Sequence, residues 1–367
     1  MKAVILAGGE ATRLRPLTCN IPKAMVPVLN TPFLEWVIIH LRNHGIKDYI
    51  IAQGVLAQPM QDYFHDGRRF HVSITYIQEK EPLGTAGAIK NAALNIDDTF
   101  LALNGDVLQD FDITGMIQFH RTKKAKATIA LIPVDDPTHY GLIETDAERR
   151  VTRFLEKPRK EQITTNMINA GIYVLEPEVL NLIPPQTKVS IERETFPQLL
   201  DKGEPVFACH CTGYWMDAGT PEKYLQLNRD LLAGKSKLYS TQRDNNIQIA
   251  GGCNIHPDSE IKGPVIIGEN CSIGARVRIT GPAVIGAGCT ILPGSIIEDS
   301  VLWHNIRLGP HAKVNCSIVA NDCHLQEQSA LHNSVLGDNV IIPAMCHPES
   351  GTIIWPGETY QTKQQPD

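Results

Sequence analysis

The sequence predicts an α/β fold in two parts: a Rossmann-like, mostly parallel sheet domain followed by a parallel β-helix of hexapeptide repeats. Strand-like and helix-like segments alternate over roughly the first 230 of the 367 residues, which is typical of repeated βαβ units. After residue 245 the period changes, and branched apolar residues recur every six positions. A chain of this length is also expected to form more than one hydrophobic core.

The elements of the sheet domain follow from short apolar runs and from residues typical of helix ends. The first strand, at residues 4–6, opens into a glycine-rich turn. A helix is predicted to begin at Thr31 and Pro32 and to end at Gly45, with apolar side chains at helical spacing between them. Further strands are predicted at residues 49–52, 72–77 and 100–103, with a helix at 85–94. Because the carboxyl ends of parallel strands share one sheet edge, the turns after the strands at 4–6 and 100–103 are expected to be neighbours.

The β-helix is predicted from an uninterrupted repeat. Isoleucine occurs eight times in succession from Ile255 to Ile297 at a spacing of six, and branched apolar residues continue the series to Ile342. A mostly small side chain lies two residues before each of them, so both can fill the interior of a triangular coil made of three hexads. Later steps of five residues shorten the coil to 17 residues. About five coils at a strand separation of ~4.8 Å would form a stack of about 25 Å.

The two periods, with a polar linker between them, set the predicted domain boundaries. The predicted bounds are 1–232 for the sheet domain, 233–246 for the linker, 247–350 for the β-helix and 351–367 for a C-terminal tail. Inside the β-helix, Cys253, Cys271 and Cys289 lie 18 residues apart and are expected to stack in one interior column. We interpret this column as packing of small buried thiols, with a metal or redox site as the alternative.

Composition and charge disfavour several functional classes. The chain has 34 Lys and Arg against 40 Asp and Glu, a net charge of -6, which disfavours binding to nucleic acid or to anionic membranes. The N-terminal apolar run, residues 3–7, is too short for a signal peptide or a membrane span, so we expect a cytoplasmic protein. Nine cysteines without a CxxC pair indicate neither a zinc site nor a disulfide framework. The expected partners are small molecules.

The turn after the first strand is the first candidate site. Ala7, Gly8 and Gly9 would let backbone N–H groups approach a phosphate chain, and Arg13 and Arg15 would add guanidinium donors. The turn lacks the Gly-Lys-Ser/Thr end of a P-loop and the GxGxxG of a dinucleotide site. Taken alone, it fits a polyphosphate site and a tight structural turn about equally well.

The residues of this turn read GGEATRLRPLTCNIPKAMVPV, which resembles the motifs GGxGTRLxPLT and PKxM of the sugar-nucleotidyltransferases, the sugar-1-phosphate nucleotide pyrophosphorylases. Ala11 stands where the family pattern has Gly, at a cost in backbone freedom. Within the family, the chain most resembles mannose-1-phosphate guanylyltransferases that carry a short C-terminal left-handed β-helix. Other segments match family motifs in family order: QEKEPLGTAGAI (78–89), NGDV (104–107), YG (140–141), FLEKP (154–158), NAGIYVLEPEVL (169–180), SIERETFP (190–197) and GYWMDAGTPEKYL (213–225).

The resemblance implies a reaction and its catalytic residues. In the family reaction, a sugar-1-phosphate attacks the α-phosphate of a nucleoside triphosphate and releases pyrophosphate. This chemistry needs aligned phosphates and positive charge rather than a covalent enzyme intermediate. By resemblance, Arg13 holds the pyrophosphate part, Lys23 reaches the phosphates at the reacting centre, and Asp106 and Asp217 hold the cofactor Mg²⁺. The implied substrates are GTP and mannose-1-phosphate, with glucose-1-phosphate and dTTP or UTP as the alternative.

The resemblance also implies two sets of binding residues. For the EKP segment at residues 156–158, a surface turn without a binding role is the alternative to sugar-phosphate binding. Base choice stays open among uracil, thymine and guanine, because the Gln78 amide and backbone groups at the start of a helix could read any of them. The nucleotide set is Leu6, Ala7, Gly8, Gly9, Thr12, Arg13, Gln78, Gly84, Thr85 and Asp106, and the sugar-phosphate set is Gly141, Glu156, Lys157 and Asn169.

Two other functional classes compete with this interpretation. Hexapeptide repeats also build acyltransferases, in which a histidine deprotonates the acceptor. The repeats here run on without a long inserted loop, which favours corner or interface roles for the histidines. A regulatory subunit without catalysis is disfavoured because all four implied catalytic residues are present, and the β-helix is then expected to serve association into a homo-oligomer. The candidate histidines are His304, His311, His324 and His332.

Overall fold

The computed structural model describes residues 1–239 and 246–361, which form two compact units. Residues 240–245 of the predicted linker and 362–367 of the predicted tail lie outside the described residues. In the described ranges, no helix has the length and apolar character needed to cross a bilayer. The first unit comprises Met1–Glu10, Pro22–Met25 and Leu34–Asp217, and the second comprises Ala11–Ile21, Val26–Phe33, 218–239 and 246–361.

Strands and helices alternate up to residue 232. The helices are α1 (Phe33–Asn43), α2 (Gln58–Phe64), α3 (Gly84–Ala92), α4 (Ile113–Lys123), α5 (Phe196–Asp201) and α6 (Pro221–Leu232). The strands are β1 (Lys2–Ala7), β2 (Pro27–Val28), β3 (Thr31–Pro32), β4 (Asp48–Gln53), β5 (Ser73–Gln78), β6 (Phe100–Asn104), β7 (Val107–Gln109), β8 (Ala127–Pro133), β9 (Gly141–Thr145), β10 (Val151–Glu156), β11 (Met167–Leu175), β12 (Val206–His210) and β13 (Trp215–Asp217).

The first unit is built on a nine-stranded sheet of order β10-β9-β11-β6-β1-β4-β5, with β8 paired to β11 and β12 paired to β8. Strands β6, β1, β4 and β5 are parallel, as the alternating segments predicted. Strand β11 runs antiparallel to β6, and β9 and β10 extend the sheet by antiparallel pairing. The predicted α/β sheet is therefore confirmed, with an antiparallel extension beyond its parallel half.

The start of α1 differs in detail from the prediction. Thr31 and Pro32 form β3, which pairs with β2, and the Phe33 N–H donates to the Val26 carbonyl at 3.0 Å. The short hairpin thus takes the residues predicted to cap the helix, and α1 begins one residue later. The other predicted elements are confirmed to within a few residues.

The second unit contains stacked parallel strands that form three sheets. Residues of the six-residue series up to Leu325 are paired with their equivalents in the next coil, as in Ile273 with Ile291 and Ile291 with Leu308. The strands are β14 (Ile247–Ile249), β15 (Asn254–Ile255), β16 (Glu260–Lys262), β17 (Val265–Ile267), β18 (Ser272–Ile273), β19 (Arg278–Thr280), β20 (Ala283–Ile285), β21 (Thr290–Ile291), β22 (Ile296–Glu298), β23 (Val301–Leu302), β24 (Arg307–Leu308), β25 (Lys313–Asn315), β26 (Ile318–Val319), β27 (His324–Leu325), β28 (Ala330–His332), β29 (Val335–Leu336), β30 (Ile341–Ile342) and β31 (Ile353–Ile354).

The interior of the β-helix is filled by the branched residues and by small side chains. The thiols of Cys253, Cys271 and Cys289 donate to backbone carbonyl groups of the following coil at 3.1–3.2 Å. All nine cysteines of the chain are free thiols. The stack continues past residue 350, where the tail was predicted to begin, because β31 pairs with β29.

Two N-terminal segments belong to the same unit as the β-helix. The Asn30 side-chain amide donates to the Ile285 carbonyl at 2.8 Å. The Tyr224 hydroxyl on α6 donates to the Pro27 carbonyl and accepts from the Trp303 indole N–H at 3.0 Å. These bonds connect the β2–β3 hairpin and α6 to the β-helix. Trp303 is only 1% exposed, so the connection through its indole is buried.

The predicted β-helix histidines make contacts within the coils. The His304 Nδ1 accepts from the Ala287 N–H at 3.0 Å, and burial lowers the pKa of the His304 and His324 imidazoles. His311 has a φ of +58°, and His332 Nδ1 lies 2.9 Å from Asn315 Oδ1. Such positions fit residues that shape the corners of the coils.

Candidate active site

Two carboxylates that are far apart in the sequence meet next to a strand pair. Asp106 lies in the turn between β6 and β7, and Asp217 is the last residue of β13. Strands β7 and β13 are antiparallel, and Asp217 is opposite Val107, the residue after Asp106. This register places the two carboxylates side by side.

A lysine ammonium lies between these carboxylates. The Nζ of Lys23 is 3.0 Å from Asp106 Oδ2 and 2.9 Å from Asp217 Oδ1. Lys23 begins a short 3₁₀ helix, Lys23–Met25, and is 7% exposed. Burial would lower the pKa of Lys23, but the charges and hydrogen bonds of Asp106 and Asp217 outweigh it, and the net shift is upward. The ammonium therefore stays protonated at neutral pH, and three residues predicted to be catalytic form one ionic cluster.

A cavity of about 150 Å³ opens beside this cluster in the first unit. Five of its lining residues were predicted as site residues: Asp106, Gly141, Glu156, Asn169 and Asp217. The other lining residues had no predicted role, although most lie inside or beside the matched motifs: Asn104, Val107, His139, Tyr140, Ala170, Gly171, Glu192 and Trp215.

The wall of the cavity formed by β9 and β10 leaves no room for a side chain at position 141. Gly141 is opposite Glu156, and a Cβ on Gly141 would lie 2.7 Å from Glu156 Oε2. Burial, with a contribution from the nearby Glu192 carboxylate, raises the pKa of Glu156. A half-buried acceptor next to a glycine is suited to receive hydroxyl groups of a polar ligand.

Glu192 connects the cavity to the start of α3. One carboxylate oxygen accepts from the Thr85 hydroxyl at 2.8 Å, and the other accepts from the Tyr173 hydroxyl at 3.2 Å. Tyr173 in turn accepts from the Asn169 amide at 2.8 Å. The Thr85 and Asn169 side chains, predicted for the nucleotide and the sugar phosphate, therefore belong to one network. Glu192 lies in the SIERETFP segment, and that motif was the sequence signal available for finding it.

The turn after β1 lies next to the turn after β6, as the sequence predicts. Leu6 is paired with Asn104, and the Gly105 N–H donates to the Leu6 carbonyl at 2.8 Å. The glycines allow close backbone approach: a Cβ on Gly8 would meet Glu79 Oε1 at 3.2 Å, and one on Gly105 would meet the Leu6 carbonyl oxygen at 2.9 Å. Ala7 and Gly9 complete the turn.

Other predicted residues lie outside the cavity lining. Gln78 ends β5 with an exposed side chain, and Gly84, which begins α3, has a φ of +68° and packs against Val189. Lys157 is exposed, has a φ of +50° and donates its N–H to the Tyr140 carbonyl. The roles predicted for these three residues stay predictions.

Thr12 and Arg13 belong to the second unit, where they begin the 3₁₀ helix Thr12–Leu14. Both are exposed, whereas Leu14 is buried. Ala11 precedes them with φ 46° and ψ 42°, the left-handed conformation that glycine adopts at lower cost. The departure from the family's glycine thus lies at a position that favours glycine.

Two known protein families match the two parts of this chain. Residues 2–234 match the family described as Nucleotidyl transferase. The chain belongs to the nucleotidyl transferase family. Residues 243–348 match the EIF2B subunit epsilon LbH domain, so the predicted left-handed β-helix is confirmed as well.

Individual relatives narrow the class of enzyme. The chain is 38% identical over 352 residues to a mannose-1-phosphate guanyltransferase of Debaryomyces hansenii, covering 93% of this chain and 92% of the relative. It is 37% identical over 340 residues to a UTP--glucose-1-phosphate uridylyltransferase of Synechocystis sp., covering 86% of each. The solved structure of HddC from Yersinia pseudotuberculosis complexed with GMP-PN matches with a TM-score of 0.53 and 31% identity, over 62% of this chain and 97% of that one. The predicted enzyme class, sugar-1-phosphate nucleotidyltransferase, is confirmed.

Proposed function

We propose that the protein forms GDP-mannose and pyrophosphate from GTP and mannose-1-phosphate. The observation that carries the proposal is the ionic cluster of Lys23, Asp106 and Asp217 beside a small polar cavity. A charged cluster suits the reacting phosphates, and the adjacent cavity suits the sugar. The resemblance to guanylyltransferases supplies the choice of guanine and mannose.

In this reaction, a phosphate oxygen of the sugar-1-phosphate attacks the α-phosphorus, and the bond to the β-phosphate oxygen breaks. The role of the chain is to align two anions and to balance their charge. The Lys23 ammonium binds phosphate oxygens at the reacting centre, and the Arg13 guanidinium binds the departing pyrophosphate. Glu156 and Asn169 orient the sugar phosphate, with the Lys157 ammonium as a point charge.

We assign Mg²⁺ to Asp106 and Asp217. Both carboxylates lie within 3.0 Å of one common atom, Lys23 Nζ, so they are close enough to share one cation. Mg²⁺ is commonly held by one or two carboxylates together with water and phosphate oxygens. The described ranges contain no cluster of three or more His, Cys, Asp or Glu suited to a metal. When bound, the ion held by Asp106 and Asp217 would supply positive charge at the phosphates, and the Lys23 ammonium would add a second positive charge beside it.

The second candidate is uridylyl or thymidylyl transfer to glucose-1-phosphate. The Synechocystis relative favours it, with 37% identity over 86% of this chain. The two candidates share the phosphate chemistry and differ in the base and in the sugar.

A substrate panel separates the candidates. Each of GTP, ATP, UTP, CTP and dTTP would be incubated with mannose-1-phosphate or glucose-1-phosphate and Mg²⁺, and pyrophosphate release measured. We expect the fastest release with GTP and mannose-1-phosphate, and its loss when EDTA removes the metal. Faster release with UTP or dTTP and glucose-1-phosphate would establish the second candidate instead, and no release with any pair would reject both. Cytoplasmic location and association into a homo-oligomer stay predictions.

A further inference from the structure

The loop that carries Arg13 is fastened to the β-helix within the second unit. The Thr18 hydroxyl donates to the Ala11 carbonyl at 3.0 Å and closes the loop at its base. Just beyond this closure, the Asn20 side-chain amide donates to Asp338 Oδ2 at 2.8 Å. Asp338 lies between β29 and β30, 318 residues further along the chain.

The Asp338 carboxylate is itself held in place. Its other oxygen, Oδ1, accepts from the Asn321 backbone N–H at 3.0 Å, one coil earlier. Its backbone carbonyl accepts from the Gly357 N–H at 2.8 Å, one coil later. The orientation of the carboxylate is therefore fixed by the β-helix, and each oxygen serves a different donor.

We propose that Asp338 is a positioning residue for nucleotide binding. Asn20 lies seven residues after Arg13, and the chain between them is compact because Leu14 and Leu17 are buried. Arg13 itself is exposed, and Ala11 holds a backbone conformation that is unfavourable without glycine. The Asn20–Asp338 hydrogen bond anchors the end of this loop to the β-helix and so limits the conformations that Arg13 can sample. Fewer conformations before binding lower the entropic cost of binding a triphosphate. The inference rests on the proposed function, because it takes Arg13 as a triphosphate ligand.

The test exchanges the donor and the acceptor of the Asn20–Asp338 pair. Asn20→Ala removes the donor and leaves the bond from the Asn321 N–H to Asp338 in place. In Asn20→Asp two carboxylates face each other. The double variant Asn20→Asp with Asp338→Asn restores one donor and one acceptor, and the oxygen of the new amide can still accept from Asn321. We expect each single variant to raise the dissociation constant for GTP, measured by calorimetry with Mg²⁺ and without sugar phosphate, by about three- to tenfold, the range for one lost hydrogen bond. The double variant should return to within about twofold of the original protein.

The matched control is Asp322→Asn. The Asp322 carboxylate accepts from the Asn305 amide at 3.0 Å, an exposed pair of the same kind formed by two β-helix residues. We expect this control to leave the GTP dissociation constant unchanged, and all variants to melt close to the original protein. The KM for the sugar-1-phosphate should also move less than the KM for GTP.

Unchanged GTP binding in both single variants, or a double variant that binds as weakly as the singles, would overturn the positioning role. This failure differs from failure of the proposed function. In that case the original protein would release no pyrophosphate from any substrate pair, whereas the binding measurement would still compare the variants.

Discussion

The β-helix and the ionic cluster of the sheet unit differ in the sequence distance that their contacts span. In the β-helix, Ile291 is paired with Ile273 and Leu308, which are 18 and 17 residues away. In the cluster, Lys23 is bonded to Asp106 and Asp217, which are 83 and 194 residues away. Coils that contact only their neighbours contribute to stability almost independently, whereas the cluster needs the whole sheet to assemble it. We therefore expect substitutions in the cluster to lower kcat more than stability, and substitutions in the β-helix to lower stability more than kcat.

The largest expected effect is on turnover in the cluster. Asp106→Asn and Asp217→Asn each remove one charge that balances Lys23 and one candidate metal ligand. We expect kcat for pyrophosphate release to fall by about 10²-fold or more, the scale for removing a preorganised electrostatic group. The melting temperature should change little in Asp106→Asn, because the Asp106 side chain is 46% exposed, and should fall more in Asp217→Asn, because the Asp217 side chain is 16% exposed and pairs with the buried Lys23. Turnover equal to that of the original protein in either variant would reject the two-carboxylate site.

In the β-helix the expected loss is of stability. Leu308 is fully buried between Ile291 and Leu325 in the stack. Leu308→Ala leaves a cavity and should lower the free energy of unfolding by about 3 kcal/mol, as measured by urea denaturation. We expect kcat at 25 °C to stay within about twofold of the original value, since the coil lies outside the cluster. A large fall in kcat without a fall in stability would contradict the contrast between the two regions.

Acid should destabilise the sheet unit through a buried histidine. Burial, helped by the nearby His44, lowers the pKa of His40 from 6.5 to about 4, and its Nε2 lies 3.0 Å from the Phe111 carbonyl oxygen. The unfolded chain therefore binds this proton first as the pH falls. His40 contributes its full share above about pH 6.5, and about 3 kcal/mol is lost as the pH drops toward 4.

The matching variant is His40→Gln, which cannot titrate. We expect its unfolding free energy to change less between pH 7 and pH 4.5 than that of the original protein. Parallel pH curves for the two proteins would show that the acid sensitivity arises at other groups.

At the cavity, adding one methyl group at Gly141 should weaken binding of the sugar-1-phosphate. In Gly141→Ala the new Cβ would lie 2.7 Å from Glu156 Oε2, so the carboxylate must move. We expect the KM for the sugar-1-phosphate to rise about tenfold, equivalent to about 1.4 kcal/mol, with a smaller change in the KM for GTP. Gly251→Ala is the control, because a Cβ there meets nothing within 4 Å. Equal effects of the two substitutions would count against the sugar assignment.

The smallest expected effect is at the one departure from the family motif. Ala11→Gly relieves the left-handed strain at φ 46° but makes the unfolded chain more flexible. The net gain in stability should be about 0.5 kcal/mol. A melting temperature that falls would show that the methyl group of Ala11 makes contacts that outweigh the strain.

The difference in sequence separation between contacting residues also explains which features the sequence could predict. The interior positions of the β-helix follow from one period, because each coil repeats the environment of the one before it. The sheet strands follow from apolar runs, whereas the antiparallel pairing of β9, β10 and β11 depends on contacts that no local pattern records. In the site, Asp106 and Asp217 were predicted through motif resemblance, but the ion pairs of Lys23 with both carboxylates were not. Glu192 lies in the matched SIERETFP motif, but its contacts with Thr85 and Tyr173 join segments that local spacing cannot connect, so its place in the site was not predicted.

The contacts of the N-terminal segments with the stack set the number of coils that can lie between the two points of contact. Asn30 meets the stack at Ile285, and Asn20 meets it at Asp338, three registers further on through Leu302, Val319 and Leu336. One extra rung between these two points would shift one of them by about 4.8 Å, further than a hydrogen bond can stretch. Insertions of a whole repeat, usually harmless in solenoid proteins, would here carry a penalty between residues 285 and 338 and none beyond.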